Sequence, residues 1–219
     1  RVTIRDILIS KCWGDGICMG CAYPTGSKPS LRCNDVVVSN VACTDNRRQG
    51  MSIGQANNVK VYDSEFSYTK GIAPGCGIDI EPDVNYPGTA TNVRIENCSI
   101  HHNQGNGIQV YKKCQGTTIT KCKIERNGGY GVLAIGAITG SVTANHLTTN
   151  SLIGVGMRSG SSGYTVSGNY FYNNARKFRS KDMPRITPAM KRTGNVLPKH
   201  TEIAASNNIA IKANYYYDK

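Results

Sequence analysis

The fold is decided by a short pattern, a glycine followed by apolar, variable and apolar residues, which recurs as Gly16-Ile17-Cys18-Met19, Gly50-Met51-Ser52-Ile53, Gly107-Ile108-Gln109-Val110, Gly131-Val132-Leu133-Ala134 and Gly154-Val155-Gly156-Met157. A further copy, Gly77-Ile78-Asp79-Ile80, has the same form. Apolar residues at alternate positions over so short a run are typical of a strand, and the Gly and Asn residues between the copies are typical of turns. The pattern therefore predicts many short strands rather than helices.

A second column of residues, seven positions before most of these glycines, fixes the repeat length; its members are Ile9, Cys43, Phe66, Ile100, Ile124, Leu147 and Phe171. Successive members lie 23 or 24 residues apart, except for two intervals of 34. Strands too short to bury a face alone are stabilised by stacking on neighbouring units. We therefore predict an all-β fold, a right-handed parallel β-helix of about seven to eight coils. An antiparallel sandwich or barrel is the alternative, but it does not require one register to recur.

A third column consists of asparagines, Asn46, Asn103, Asn127, Asn150 and Asn174. Asparagine tolerates left-handed backbone angles, and its amide can bond from one unit to the next. We predict that these residues occupy turns and bond along the stack.

The repeat divides the chain into three parts. Residues 1–174 form the predicted repeat domain, 175–206 a basic inserted loop, and 207–219 the start of a further coil. Because chain ends inside a repeat leave strand edges that capping elements normally cover, we expect a piece of a longer protein or a cap from a partner.

Composition limits the classes of partner. The 219 residues contain 26 Lys and Arg against 14 Asp and Glu, a formal charge of +12. Such a charge attracts polyanions, but the sequence has none of the usual nucleic-acid-binding motifs, and we predict no nucleic-acid partner. No apolar stretch approaches the roughly 18 residues of a membrane span, so no membrane partner is predicted either.

The nine cysteines are an odd number, so at least one thiol stays unpaired. Their irregular spacing favours assembly in a mainly reducing compartment. Cys18 and Cys21 form a C-x-x-C pair, but Cys33 and Cys43 are too far apart to close a zinc site, and no metal site is predicted. A disulfide between Cys21 and Cys33 stays open.

Candidate chemistry lies on the strand that carries two acids. Side chains alternate along a strand, so Ile78 and Ile80 enter the core while Asp79 and Glu81 face outward together, with Asp83 following after Pro82. Flanking insertions are expected to form the walls of a groove around them. Six residues are candidate substrate contacts: Arg48, Ser52, Gln109, Tyr111, Arg158 and Tyr86.

Simpler interpretations exist for several of these residues. Outward positions of a stack are usually solvated, and the simpler interpretation of Asp79 and Glu81 is that they are such positions. His101 and His102 follow the core column near a turn, where solvated histidines are expected.

The sequence resembles the right-handed parallel β-helix proteins that act on polysaccharides, most closely bacteriophage tailspike depolymerases of the pectate-lyase-like superfamily. The resemblance rests on Asn46-Arg47-Arg48-Gln49-Gly50-Met51-Ser52-Ile53, Asn58-Val59, Gly75-Cys76-Gly77-Ile78-Asp79-Ile80-Glu81-Pro82, His101-His102-Asn103 and Gly105-Asn106-Gly107-Ile108-Gln109-Val110, and covers roughly residues 1–174. The epimerase signature Asp-Pro-His-Glu is absent. The resemblance implies a homotrimer in a virion tail, assembled in the host cytoplasm and active at the bacterial surface.

The activity that the resemblance implies is glycoside hydrolysis of an acidic capsular or surface polysaccharide. Such hydrolysis needs an acid and a second carboxylate, roles predicted for Asp79 and Glu81 with Asp83 as an alternate. No cofactor is expected. One alternative is a lyase in which these carboxylates bind Ca²⁺, and another is a non-catalytic host-binding segment of a spike.

Overall fold

The computed structural model describes residues 1–20, 32–85, 87–177 and 200–217. Within these ranges the chain forms 21 strands. The first ten are β1 (Val2–Ser10), β2 (Ile17–Met19), β3 (Cys33–Thr44), β4 (Met51–Ile53), β5 (Ala56–Tyr62), β6 (Glu65–Ser67), β7 (Ile78–Ile80), β8 (Ala90–Glu96), β9 (Ser99–His101) and β10 (Ile108–Val110). The others are β11 (Cys114–Thr120), β12 (Lys123–Glu125), β13 (Val132–Ile135), β14 (Ile138–Thr143), β15 (His146–Thr148), β16 (Val155–Arg158), β17 (Ser162–Ser167), β18 (Tyr170–Tyr172), β19 (Thr201–Ala204), β20 (Ala210–Lys212) and β21 (Tyr215–Tyr216).

The strands stack in parallel rows, one strand per row from each coil. One row is the seven-stranded sheet β2-β4-β7-β10-β13-β16-β19. A 14-stranded sheet supplies two further rows, which join in β1 and β3 because these long strands extend across both. All the pairings are parallel, and the predicted parallel β-helix is confirmed.

The predicted apolar column is confirmed residue by residue. Ile9 pairs with Cys43, Cys43 with Phe66, and the register continues through the remaining members to Phe171 and on to Tyr216. From Cys43 to Phe171 every member is fully buried. The core is thus a line of apolar side chains inside the coils, and no coil has a core of its own.

The glycine of the pattern is explained by close packing between coils. A Cβ atom at Gly107 would lie 2.6 Å from the carbonyl oxygen of Gly131 and 2.7 Å from Cγ2 of Ile124. Real Cβ atoms do not approach backbone oxygens that closely, so the coils from Gly16 to Gly154 require glycine at the corner where each enters the seven-stranded sheet.

The asparagine column forms a buried ladder. Asn103 donates from Nδ2 to Oδ1 of Asn127 at 2.9 Å, and Asn127 donates in the same way to Asn150 at 3.0 Å. The prediction that the amides bond along the stack is therefore correct. The prediction of left-handed angles at the asparagines is wrong, because the positive φ belongs to the preceding residues, such as His102 at 55° and Arg126 at 54°.

The last described coil includes residues of the segment 175–206 that the sequence suggested as an inserted loop. Thr201–Ala204 is strand β19 and pairs with β16. Sequence reasoning missed it because His200 stands where the pattern has glycine. Within the ranges given above, no helix has the length and apolar character needed to cross a membrane.

Candidate functional site

The outward side chains of the seven-stranded sheet lie in a row across its strands. Asp79, on the acidic strand β7, is one of them. Ser52, Asp79 and Gln109 are paired across β4, β7 and β10, as the sequence predicts. Asp79 lies on the outward face as predicted, but the simpler interpretation of it as a solvated residue is wrong, since only 2% of the residue is exposed. Glu81, two residues on, is exposed.

A cleft of about 180 Å³ opens over this part of the sheet, and the residues with reactive or polar side chains in its lining are Cys18, Arg48, Ser52, Gln55, Asp79, Glu81 and Asp83. Gly20 and Gly54 also line it. Gly54 directly precedes Glu81 in the stack, since the Glu81 amide donates to the Ile53 carbonyl. Glycines at these outward positions leave the space beside Glu81 open, so that the cleft can admit a ligand.

Two glutamine amides hold the carboxyl group of Asp79. Gln49 donates from Nε2 to Oδ2 at 2.7 Å, and Gln109 donates from Nε2 to Oδ1 at 3.2 Å. Gln49 is itself fully buried. Both oxygens therefore have fixed partners, and the carboxyl group cannot rotate without breaking one of these bonds.

The backbone sets the orientation of both amides. The Cys76 N–H donates to Oε1 of Gln49 at 2.7 Å, which leaves only the NH₂ end of that glutamine to face Asp79. Asn106 donates from Nδ2 to Oε1 of Gln109 at 2.9 Å, while its own Oδ1 accepts the Tyr130 N–H at 2.8 Å. The hydrogen-bond donors that face Asp79 are thus determined by two main-chain groups, the Cys76 N–H on the coil of Asp79 itself and the Tyr130 N–H two coils later.

The environment of Asp79 favours its protonated form. Burial is the main cause that raises its pKa, to about 7, and the charge of Glu81 together with a side-chain hydrogen bond between the two groups adds to the effect. The hydrogen bond from Gln109 acts in the opposite direction. A carboxyl group with this pKa still holds its proton near neutral pH, where an ordinary aspartate is ionised.

Two predicted substrate contacts bind another acid instead. Arg48 donates from one nitrogen to both oxygens of Asp15, at 2.9 and 3.2 Å, and Ser52 donates to the same carboxylate at 2.7 Å. The side chain of Asp15 is only 7% exposed. Both residues still line the cleft, but Asp15 already satisfies Ser52 and compensates the charge of Arg48.

Of the remaining predicted substrate contacts, Tyr111 lies near the acidic strand and Arg158 lies farther along the stack. Tyr111 is half-buried on the coil after Glu81, and its amide donates to the Ile80 carbonyl. Arg158 is not part of this cleft; it lies two coils beyond Tyr111, with Nε 3.8 Å from Glu202. Tyr86 lies outside the described residues.

Asp83 is held at the margin of the cleft by a turn. Its Oδ1 accepts the Asn85 N–H at 2.9 Å. Lys113 donates from Nζ to the carbonyl groups of Asp83 and Val84, at 3.2 and 2.9 Å, and so fixes the loop to the next coil. The carboxylate of Asp83 therefore has a defined position next to the acidic strand.

Sequence reasoning missed Asp15, Gln49 and Asn106. Each of them directly precedes the glycine of the recurring pattern, at a position where later coils have Tyr130 and Ile153. A polar residue at that position in the first coils and an apolar one in the later coils was the available signal. Within the described ranges, no three His, Cys, Asp or Glu side chains converge on a common point that would suit a metal ion.

The fold is shared with solved structures of low sequence identity. The A-module of the Azotobacter vinelandii mannuronan C-5 epimerase AlgE4 matches 98% of this chain at 13% identity, with a TM-score of 0.68 over 55% of its own length. Pectate lyase Pel9A matches 97% of this chain at 12% identity, with a TM-score of 0.58 over 52% of its own length. DFA-IIIase from Arthrobacter chlorophenolicus A6 matches 98% at 14% identity, with a TM-score of 0.56 over 56% of its own length.

The chain thus spans about half the length of these structures, and at such identities the likeness shows the fold alone. No curated protein has a sequence significantly similar to this one. The sequence does match the family described as right handed beta helix region, over residues 1–137 and again over 112–218. With parallel rows of strands, apolar columns buried between them and this match over nearly its whole length, the chain belongs to the right-handed β-helix family.

Proposed function

We propose that this chain cleaves a polysaccharide by glycoside hydrolysis, with the Asp79–Glu81 pair as the acid. The observation that carries the proposal is the buried carboxyl group of Asp79, which lines an open cleft together with Glu81 and has a raised pKa. Perturbed acids in clefts are concentrated at catalytic sites.

In the proposed reaction, Asp79 and Glu81 share one proton. Glu81 is the exposed member and reaches the glycosidic oxygen. As the bond between the anomeric carbon and that oxygen breaks, the shared proton passes to the leaving oxygen, and the pair is left as two carboxylates. Burial and mutual repulsion make that doubly ionised state unfavourable, so the pair is a strong donor near neutral pH.

Hydrolysis also needs a base for the attacking water. Asp83 lines the same cleft and is held by the Asn85 amide and the Lys113-bound loop. We assign it this role: it accepts one proton from water while the water oxygen bonds to the anomeric carbon. Once the products leave, Asp83 releases its proton to solvent and the pair takes up one proton from solvent.

The substrate class rests on two kinds of support. Three solved structures with this fold are those of a mannuronan C-5 epimerase module, a pectate lyase and DFA-IIIase. The sequence also resembles phage tailspike depolymerases, and on that ground we propose an acidic capsular or surface polysaccharide as substrate and a homotrimeric tailspike as the setting. These finer assignments depend on the resemblance and not on the geometry of the cleft.

Incubation with a panel of capsular polysaccharides tests the reaction type. We expect new reducing ends, one water incorporated per bond cleaved, and the same rate after treatment with a chelator. A lyase would instead produce unsaturated uronates, detected by their ultraviolet absorbance, and a Ca²⁺-dependent one would be inhibited by the chelator. Binding without any shortening of the polymer would indicate the host-binding segment.

The pKa of Asp79 predicts the pH dependence of cleavage. The acid must be protonated, so kcat is expected to fall as the pH rises through about 7. In Glu81→Gln the residual activity should fall at a lower pH, because the charge that helps to raise the pKa of Asp79 is gone. Asp63→Asn, an exposed acid outside the cleft, should keep the wild-type profile. A wild-type rate that is constant from pH 6 to about 9 would contradict the assignment.

A further inference from the structure

A buried side-chain donor in the lining of the cleft has no acceptor. Gln55 lies two residues after β4 and lines the cleft together with Glu81 and Asp83. Only 1% of the residue is exposed. Among the described residues, no group accepts a hydrogen bond from its Nε2. A buried N–H group without an acceptor destabilises the folded state, so such groups are rare and need an explanation.

The loop after the acidic strand packs directly on the Gln55 amide. A Cβ atom at Gly88 would overlap Cδ and Oε1 of Gln55, so the loop can approach this closely only with glycine there. The loop rejoins the stack at once, since the Ala56 N–H donates to the Thr89 carbonyl at 3.2 Å. The amide is therefore enclosed between the end of one coil and the loop that carries Asp83.

The other neutral donor of the cleft is already satisfied. Ser52 and Gln55 are the two side chains with neutral O–H or N–H groups in the described part of the lining. Ser52 donates to Asp15 at 2.7 Å, whereas Nε2 of Gln55 has no acceptor. A ligand can therefore accept a hydrogen bond from Gln55 without breaking a bond within the protein.

The charges of the cleft favour a neutral acceptor. Glu81 and Asp83 both line it, and the one Lys or Arg in the described lining, Arg48, is paired with Asp15 at 2.9 Å. A carboxylate of the ligand would thus meet like charges without a free cation to compensate them. A hydroxyl oxygen or an amide carbonyl oxygen meets no such repulsion.

We propose that Gln55 binds a neutral oxygen atom, a hydroxyl or an acetamido carbonyl, of the sugar unit next to the Asp79–Glu81 pair. The terminal torsion of glutamine is soft, so the amide can turn its NH₂ group toward an acceptor that enters the cleft. This inference rests on the proposed function and makes it more specific. In an acidic polymer, a neutral sugar unit lies beside the cleaved bond, and the acidic groups are carried by other units.

Gln55→Met tests the contact, because methionine has nearly the same length and no amide. We expect KM for the polysaccharide to rise about 3–10-fold, the effect of one lost neutral hydrogen bond, with kcat nearly unchanged. The urea midpoint should stay the same or rise, since an apolar group replaces an unsatisfied polar one. A purely structural glutamine would give the opposite result, a lower midpoint with the wild-type KM.

Gln115→Met is the matched control. Gln115 is exposed on β11 and does not line the cleft, so KM and the urea midpoint should both match those of the wild type. Gln55→Leu serves as a second variant without the amide. A lower midpoint in both Gln55 variants would show a structural role and overturn the inference.

Analysis of the sugars at the two new ends of the products tests the neutral unit directly. We expect a neutral sugar at one or both new ends, and uronates at both would overturn the inference. Cleavage by the wild type with an unchanged KM in Gln55→Met would refute the Gln55 contact and leave the proposed function standing. If the wild type cleaves no polysaccharide of the panel, both fail together.

Discussion

Asp79→Asn is expected to lower kcat/KM for polysaccharide cleavage by about 10²–10⁴-fold, the usual contribution of a general acid. The amide has no proton that it can give to a leaving oxygen. It also presents an NH₂ group to one of the two glutamine amides, Gln49 or Gln109, that donate to the aspartate. The rate of appearance of reducing ends, measured at saturating and limiting substrate, would show a loss mainly in kcat.

Asp63→Asn is the control for the change of charge and shape. Asp63 is exposed, has a φ of 51° that asparagine tolerates, and accepts a bond from Asn97 that an amide oxygen can also accept. Its activity should match that of the wild type. If Asp79→Asn folds normally, judged by circular dichroism, and still cleaves at the wild-type rate, then the acid is elsewhere.

Asn127→Ala is expected to lower the free energy of unfolding by about 3–4 kcal/mol. Oδ1 of Asn127 accepts both the N–H and the Nδ2–H of Asn103, and its Nδ2 donates to Asn150 and to the Ile100 carbonyl. Alanine leaves these buried groups without partners in a site that water does not reach. Urea denaturation, with the midpoint and slope compared between variant and wild type, measures the loss.

Asn34→Ala provides the matched control, because Asn34 is exposed and donates only to the Arg32 carbonyl among the bonds described. Its free energy of unfolding should differ from that of the wild type by less than about 0.5 kcal/mol. Equal losses in the two variants would mean that the ladder adds no stability beyond that of an ordinary surface asparagine.

The fold follows from the sequence because it depends on spacing. Apolar residues that recur every 23 or 24 positions can be buried together only if each coil repeats the register of the last, and the pairing of Ile100 with Ile124 and of Ile124 with Leu147 confirms this. The error at the asparagines has a local cause. The side chain of Asn127 is buried inside the turn, where its amide bonds along the ladder. The residue before it, Arg126, has the left-handed backbone conformation.

The site was only partly predictable, because partners depend on side-chain conformations that spacing does not determine. Alternation correctly placed Asp79 on the outward face. It could not show that Gln49 of the preceding coil would cover that face and bury the acid. Likewise, Arg48 was identified as a cation near the cleft, but its pairing with Asp15 depends on two side chains 33 positions apart in sequence.

The loops beside the acidic strand leave the stack and rejoin it at residues whose register is fixed. The chain departs after Ser67, which is paired with His101, and returns at Ile78, paired with Met51 and Ile108; it departs again after Ile80 and returns at Ala90. Ser52 and Asp79, at the floor of the cleft, thus belong to paired strands, whereas Asp83 at its margin belongs to the loop after Ile80. Exchange of that loop would remove Asp83, while Asp79 and the two glutamines that hold it keep their places.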